Sequence, residues 1–72
     1  MGRAVDIKRL PAKNVRRLRK AKGLSQSELA IDAGQQQYLI SKIENARVDV
    51  RLGNVGKLAR ALGVHPRELF EE

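Results

Sequence analysis

Residues 25–45 read SQSELAIDAGQQQYLISKIEN. Ser25-Gln26-Ser27-Glu28 has the spacing of a capping box. The Ser25 hydroxyl can accept from the Glu28 N–H, and the Glu28 carboxylate can reach back to the Ser25 N–H. A short helix is therefore expected from this point, with Leu29 and Ala30 facing inward. Gly34 breaks it, because glycine enters the left-handed region without steric penalty. After a turn of a few residues, a further helix is expected from about Gln36 to Asn45. Ile40 and Ile43 fall together on its core side. The stretch reads as helix, tight turn, helix.

The flanking sequence extends the pattern. Pro11 suits a first helical position, where a missing N–H removes nothing, so a helix is expected from there to about Lys22. Val15 and Leu18 share its inner face, with Arg19 beside them, and Gly23 is placed to cap it. Residues 46–51 read as a polar loop. A fourth helix spans Leu52 to Leu62, with Val55, Leu58, Ala59 and Leu62 at helical spacing and Gly63 as its cap. His65-Pro66-Arg67-Glu68 opens a last turn or short helix carrying Leu69 and Phe70. The expected fold is all-α, a compact five-helix bundle over residues 11–72. Residues 1–10 form an arm ahead of it. The brief alternation Val5-Asp6-Ile7 gives the arm a weak strand signal. Two readings of it stand side by side. An apolar arm packing across a dimer accounts for Val5, Ile7 and Leu10; a basic arm following a nucleic acid accounts for Arg3, Lys8 and Arg9.

The 72 residues carry a net charge of +7, distributed unevenly. Residues 1–22 hold nine Lys or Arg against one acid, a net +8, while residues 23–72 hold six against seven, a net −1. A polyanionic partner is favoured, with nucleic acid first among the candidates. There is no Cys and a single His65, so a Cys/His zinc site of the usual kind is excluded and no metal or other cofactor is expected. No apolar run is long enough to span a membrane and no secretory signal is present; a cytoplasmic location is expected. No nucleophile–base set or P-loop appears, and the eight acids are scattered. Catalytic residues are not expected, and neither is enzyme activity.

On a helical wheel, Gln37, Tyr38, Ser41, Lys42 and Asn45 occupy an arc of about 140° opposite Ile40 and Ile43. Amides can pair adenine through N6 and N7, lysine can donate to guanine O6 and N7, and hydroxyls can serve bases or phosphates. Glu44 sits at the border of the core side. Any small bundle shows polar outer faces, but an outward tyrosine beside three glutamines is a less ordinary surface. Gln26 lies at a helix N-terminus, where free N–H groups and the positive dipole end favour a phosphate oxygen.

VRRLRKAKGLSQSELAIDAG, followed by YLISKIENAR and LARALGVHPRELF, resembles the Cro/C1-type helix-turn-helix domain of phage repressors and xenobiotic-response-element-like bacterial regulators. The likeness covers about residues 12–70. It implies a lambda-repressor-like fold, double-stranded DNA as partner, and a homodimer on a palindromic operator. The positions it marks are Gln26 for a phosphate, Gln36, Gln37, Tyr38, Ser41 and Lys42 for base edges and nearby backbone, and Asn45 and Arg47 for phosphates after the third helix. Arg19 and Glu44 match a structural ion pair between helices 1 and 3. Departures are Gln35 in place of an apolar anchor, Gln36 in place of a Ser or Thr cap, and Ala46 in place of glycine. Asn45 or a shifted turn is then expected to take the bend at Ala46. Gly53 and Gly56 each weaken the fourth helix by about 1 kcal/mol relative to Ala. The resemblance implies a transcriptional regulator, a repressor or controller; dimerisation is expected through the last helix or the arm. The alternative is a protein-interaction module, such as an antitoxin, bound to a toxin or to RNA polymerase.

Overall fold

The computed structural model of the chain describes residues 6–72. Four α-helices follow one another: α1 Arg9–Ala21, α2 Gln26–Ala33, α3 Gln37–Glu44 and α4 Leu52–Leu62. A 3₁₀ helix, Pro66–Phe70, closes the chain. The expected fifth α-helix is thus a single 3₁₀ segment, too short for more than a turn or two.

Val5 lies outside the described residues, and no strand occurs among the described ones. Asp6 and Ile7 instead lead into α1: the Asp6 carbonyl accepts from the Arg9 N–H at 3.0 Å, and its Oδ1 accepts from the Lys8 N–H at 3.1 Å. Helix α1 therefore starts before Pro11, and Arg9 and Leu10 belong to it rather than to an arm. Pro11 is tolerated as the third helical residue because the first four N–H groups have no intrahelical acceptor.

The capping box at Ser25 is complete. Ser25 Oγ accepts from the Glu28 N–H at 3.0 Å, and Glu28 Oε1 accepts from the Ser25 N–H at 2.8 Å. Those bonds also hold the exposed Glu28 carboxyl below its ordinary range. Gly34 ends α2 at φ +65°, and the Gln35 N–H reaches back to the Ala30 carbonyl at 2.8 Å. This closure satisfies orphan carbonyls and reverses the chain within two residues. At the 3₁₀ helix, His65 Nδ1 accepts from the Arg67 N–H and Glu68 Oε2 accepts from the His65 N–H.

Helix α3 packs on α1 and α2, while the 3₁₀ helix packs on α1 and α4. Leu29, Ile40, Ile43, Leu58 and Leu69 are fully buried, with Val15, Ala33, Val55 and Leu62 around them. Truncating one of these leucines to alanine should cost about 2–5 kcal/mol, since a small core relaxes only partly around a void. Among the described residues, Asn14 is the one neutral polar side chain in the interior. Its amide donates to the carbonyls of Leu69 and Glu71 at 3.0 and 2.8 Å, fastening the chain's end to α1. Leu69 is fully buried and Phe70 partly so, which leaves the last helix little apolar surface for a second subunit.

Candidate nucleic-acid interface

Helix α3 sits across α1 and α2 with Ile40 and Ile43 inward. The opposite face presents Gln37, Tyr38 and Lys42 to solvent, with Gln36 exposed at the N-cap and Asn45 at the C-cap. Ser41 is half-buried. Tyr38 is 63% exposed, and the Lys42 ammonium lies 5.4 Å from its ring centroid. That cation–π contact orders two long side chains on the same surface.

Several side chains on this face are pre-positioned by their neighbours. Gln37 Oε1 accepts from Ser27 Oγ of α2 at 2.7 Å, which fixes the amide and leaves its two N–H groups pointing away from α2's hydroxyl. Asn45 Nδ2 donates back to the Ser41 carbonyl at 2.8 Å, with Ser41 Oγ at 3.4 Å. Gln36 has no side-chain capping bond, as its replacement of Ser or Thr implied. Gln26 directs one amide hydrogen to Glu44 Oε1 at 3.1 Å, leaving a second donor for another acceptor. Arg47 is exposed just beyond α3.

Ala46 corrects the expectation that Asn45 or a shifted turn would absorb the bend after α3. Ala46 itself adopts φ +57°, while Asn45 keeps a negative φ, at φ −96°, ψ 9°. The Ala46 N–H donates to the Ile43 carbonyl at 3.0 Å and the Arg47 N–H to the Lys42 carbonyl at 2.9 Å. This is the same paired closure that Gly34 gives α2, made here by a residue with a Cβ and therefore strained.

Beneath the face lies the ion pair expected from Arg19 and Glu44. Arg19 Nε donates to Glu44 Oε2 at 2.7 Å and Nη2 to Oε1 at 2.9 Å, while Nη1 reaches the Leu24 carbonyl at 2.8 Å. The fork geometry satisfies both carboxylate oxygens. Arg16 approaches Glu44 Oε1 at 3.5 Å as a third partner. Burial pushes the Glu44 carboxyl up. The hydrogen bonds from Arg19 and Gln26 and the charges of Arg19 and Arg16 outweigh it, and the group is held below the ordinary carboxylate range. The Arg19 guanidinium is raised by its hydrogen bond to Glu44, against desolvation. Among the described residues, no buried side-chain nitrogen or oxygen lacks a partner.

Ser27 and Arg16 were not among the residues singled out from sequence. Arg16 lies one turn before Arg19 on the same side of α1, a spacing that offered a signal. Ser27 offered none, because its partner belongs to another helix. Among the described residues there is no group of three or more His, Cys, Asp or Glu side chains able to hold a metal, and no helix long and apolar enough to cross a membrane.

The helix-turn-helix family pattern matches residues 15–69. A hypothetical transcription factor of Neisseria meningitidis is 39% identical over 65 residues, 90% of this chain and 61% of that protein. The control protein C.BamHI of Bacillus amyloliquefaciens is 36% identical over 67 residues, 92% of this chain and 83% of that protein. Among solved structures, the restriction-modification controller protein C.AhdI of Aeromonas hydrophila superposes with a TM-score of 0.84 at 41% identity, covering 88% of this chain and 96% of that one. The chain thus spans about three fifths of the Neisseria relative and nearly all of C.AhdI.

Proposed function

The chain belongs to the Cro/C1-type helix-turn-helix family of DNA-binding transcriptional regulators, and on that premise we propose that it acts as a homodimer that reads a palindromic operator with α3 in the major groove. The observation that carries this reading is the placement of Glu44. The one carboxylate of α3 is turned inward and ion-paired. The outward face is therefore amide, phenol, hydroxyl and ammonium, with no anion to repel DNA. Gln37 and Lys42 are the direct base readers, and Tyr38 and Gln36 flank them. Ser41 sits behind them and positions Asn45 through the bonds described above. Gln26, Asn45 and Arg47 approach phosphates on either side, with Gln26 using its second amide hydrogen. One relative named a control protein and another named a restriction-modification controller protein favour a controller over a phage repressor or an antitoxin. A cytoplasmic site of action follows from that role, and catalysis plays no part in it.

Leu52 favours a second copy of the chain as protein partner. It is 87% exposed at the first turn of α4, the most exposed large apolar side chain in the described structure. A two-fold contact through this end of α4 would give each subunit an apolar anchor. The test is selection of bound duplexes from a random library at near-physiological salt. The expected result is a palindrome whose half-sites lie one helical turn, about 34 Å, apart. Enrichment of no sequence would sink specific operator binding and turn attention to a toxin or RNA polymerase as partner.

A further inference from the structure

Helix α1 carries a basic stripe that the reading of α3 does not use. Arg9, Lys13, Arg16 and Lys20 recur at spacings of four, three and four residues, so they share one face, and Arg17 borders it. The sequence of α1, RLPAKNVRRLRKA, contains no acid. These side chains line an open groove of about 700 Å³ whose far wall is the end of α3, at Glu44, Asn45 and Ala46. The one carboxylate in that wall is already engaged by Arg19. Arg9 meets Asp6 only at 3.8 Å, with both side chains largely exposed. Like charges one turn apart on a helix repel each other and destabilise it. The stripe is thus locally unfavourable, and an anion in the groove would relieve it.

We propose that this groove is a second phosphate track, beyond the contacts of the helix-turn-helix unit, that follows one DNA strand away from the operator half-site. The inference rests on the DNA-binding reading above and extends it to flanking DNA. Continuity identifies the occupant. Asn45 closes the outward face of α3 and also lines the groove, so a strand held at the end of α3 enters it directly. From Arg9 to Lys20 the helix rises about 16 Å, and phosphates recur every 3.4 Å of duplex axis along one strand, about five over that length. A track of this kind adds affinity and salt dependence without adding base preference.

The test compares wild type with Arg9→Gln/Lys13→Gln/Lys20→Gln, which leaves Arg16 and its contact to Glu44 intact. A control, Lys57→Gln/Arg60→Gln/Arg67→Gln, removes the same charge from α4 and the 3₁₀ helix. The probe is random-sequence duplex DNA titrated across salt concentrations, and thermal melting of each variant checks folding. Each phosphate contact contributes about 0.9 to the slope of log K against log salt. The groove variant should lose about 2–3 in slope and bind at least tenfold more weakly near 0.1 M salt, with Tm unchanged or raised. The control should lose less than 1. Equal losses in both variants, or an unchanged slope in the groove variant, would overturn the track. So would an unchanged slope with saturable binding of polyglutamate, which would assign the groove to an acidic protein. No duplex binding by wild type would overturn the DNA reading itself, an outcome distinct from a groove variant that matches wild type.

Discussion

Glu44 accepts hydrogen bonds from Arg19 and Gln26 on two different helices and pairs with Arg16 at 3.5 Å. Because its folded carboxyl is held below the unfolded value, its contribution to stability is complete above the unfolded pKa of about 4.3 and disappears as pH falls through the lower folded value. The Tm gap between wild type and Glu44→Gln should therefore be constant near neutrality and narrow below about pH 4. A gap that does not narrow at all as pH falls through the acid range would assign the effect to packing rather than charge. Arg19→Ala, which leaves the buried carboxylate only Gln26 and the exposed Arg16, should cost up to about 3–5 kcal/mol in urea unfolding. On the outer face the readout is different. Lys42→Ala and Gln37→Ala should each reduce preference for the operator over random DNA by about 1–3 kcal/mol, and Gln26→Ala should weaken both alike. Equal losses on both DNAs for Lys42→Ala or Gln37→Ala would remove that residue from base readout.

The helices themselves are unevenly made. Helix α2 has a complete capping box and a glycine closure, whereas α3 has an uncapped start at Gln36 and a strained end at Ala46. The reading helix is thus held by its neighbours more than by its own termini. Ala46→Gly should stabilise the domain by about 0.5–1 kcal/mol, the relief of a left-handed alanine less the extra unfolded-state entropy of glycine. Gly56→Ala should add about 1 kcal/mol, since a Cβ built there meets nothing within 4 Å and alanine is the better helix former. Gly34→Ala should move the other way, because φ +65° strains any side chain. Chemical denaturation of the three variants checks all of them. Destabilisation by Ala46→Gly would mean that the alanine methyl is needed where it sits.

At the scale of the whole molecule, the basic excess and the most exposed apolar side chain lie on different elements. The basic excess lies on α1 and the segment before it, while Leu52 stands exposed at the start of α4. Leu52→Glu should shift the protein toward monomer in sedimentation equilibrium. By mass action, operator affinity should then fall and depend more steeply on protein concentration. A variant that remains dimeric with unchanged affinity would exclude this end of α4 from the interface. The 3₁₀ helix is a poor alternative, as Leu69 is buried within its own subunit.

The order of the helices and most of their ends were legible in the chain's local spacing, including the capping box at Ser25, the break at Gly34 and the span of α4. These features rest on hydrogen bonds between residues two to five apart, so local spacing specifies them. The Arg19–Glu44 pair was legible only through a family resemblance, since its partners are 25 residues apart. The tertiary structure alone decided that Ser27 holds Gln37, that Arg16 and Gln26 join Glu44, and that Asn14 fastens the chain's end across a separation of 57 residues. It also decided that Ala46, not Asn45, takes the left-handed turn. Packing of α3 against α1 and α2 outweighs a local penalty of about 1–2 kcal/mol at that residue, and no local rule read from sequence contains the packing term.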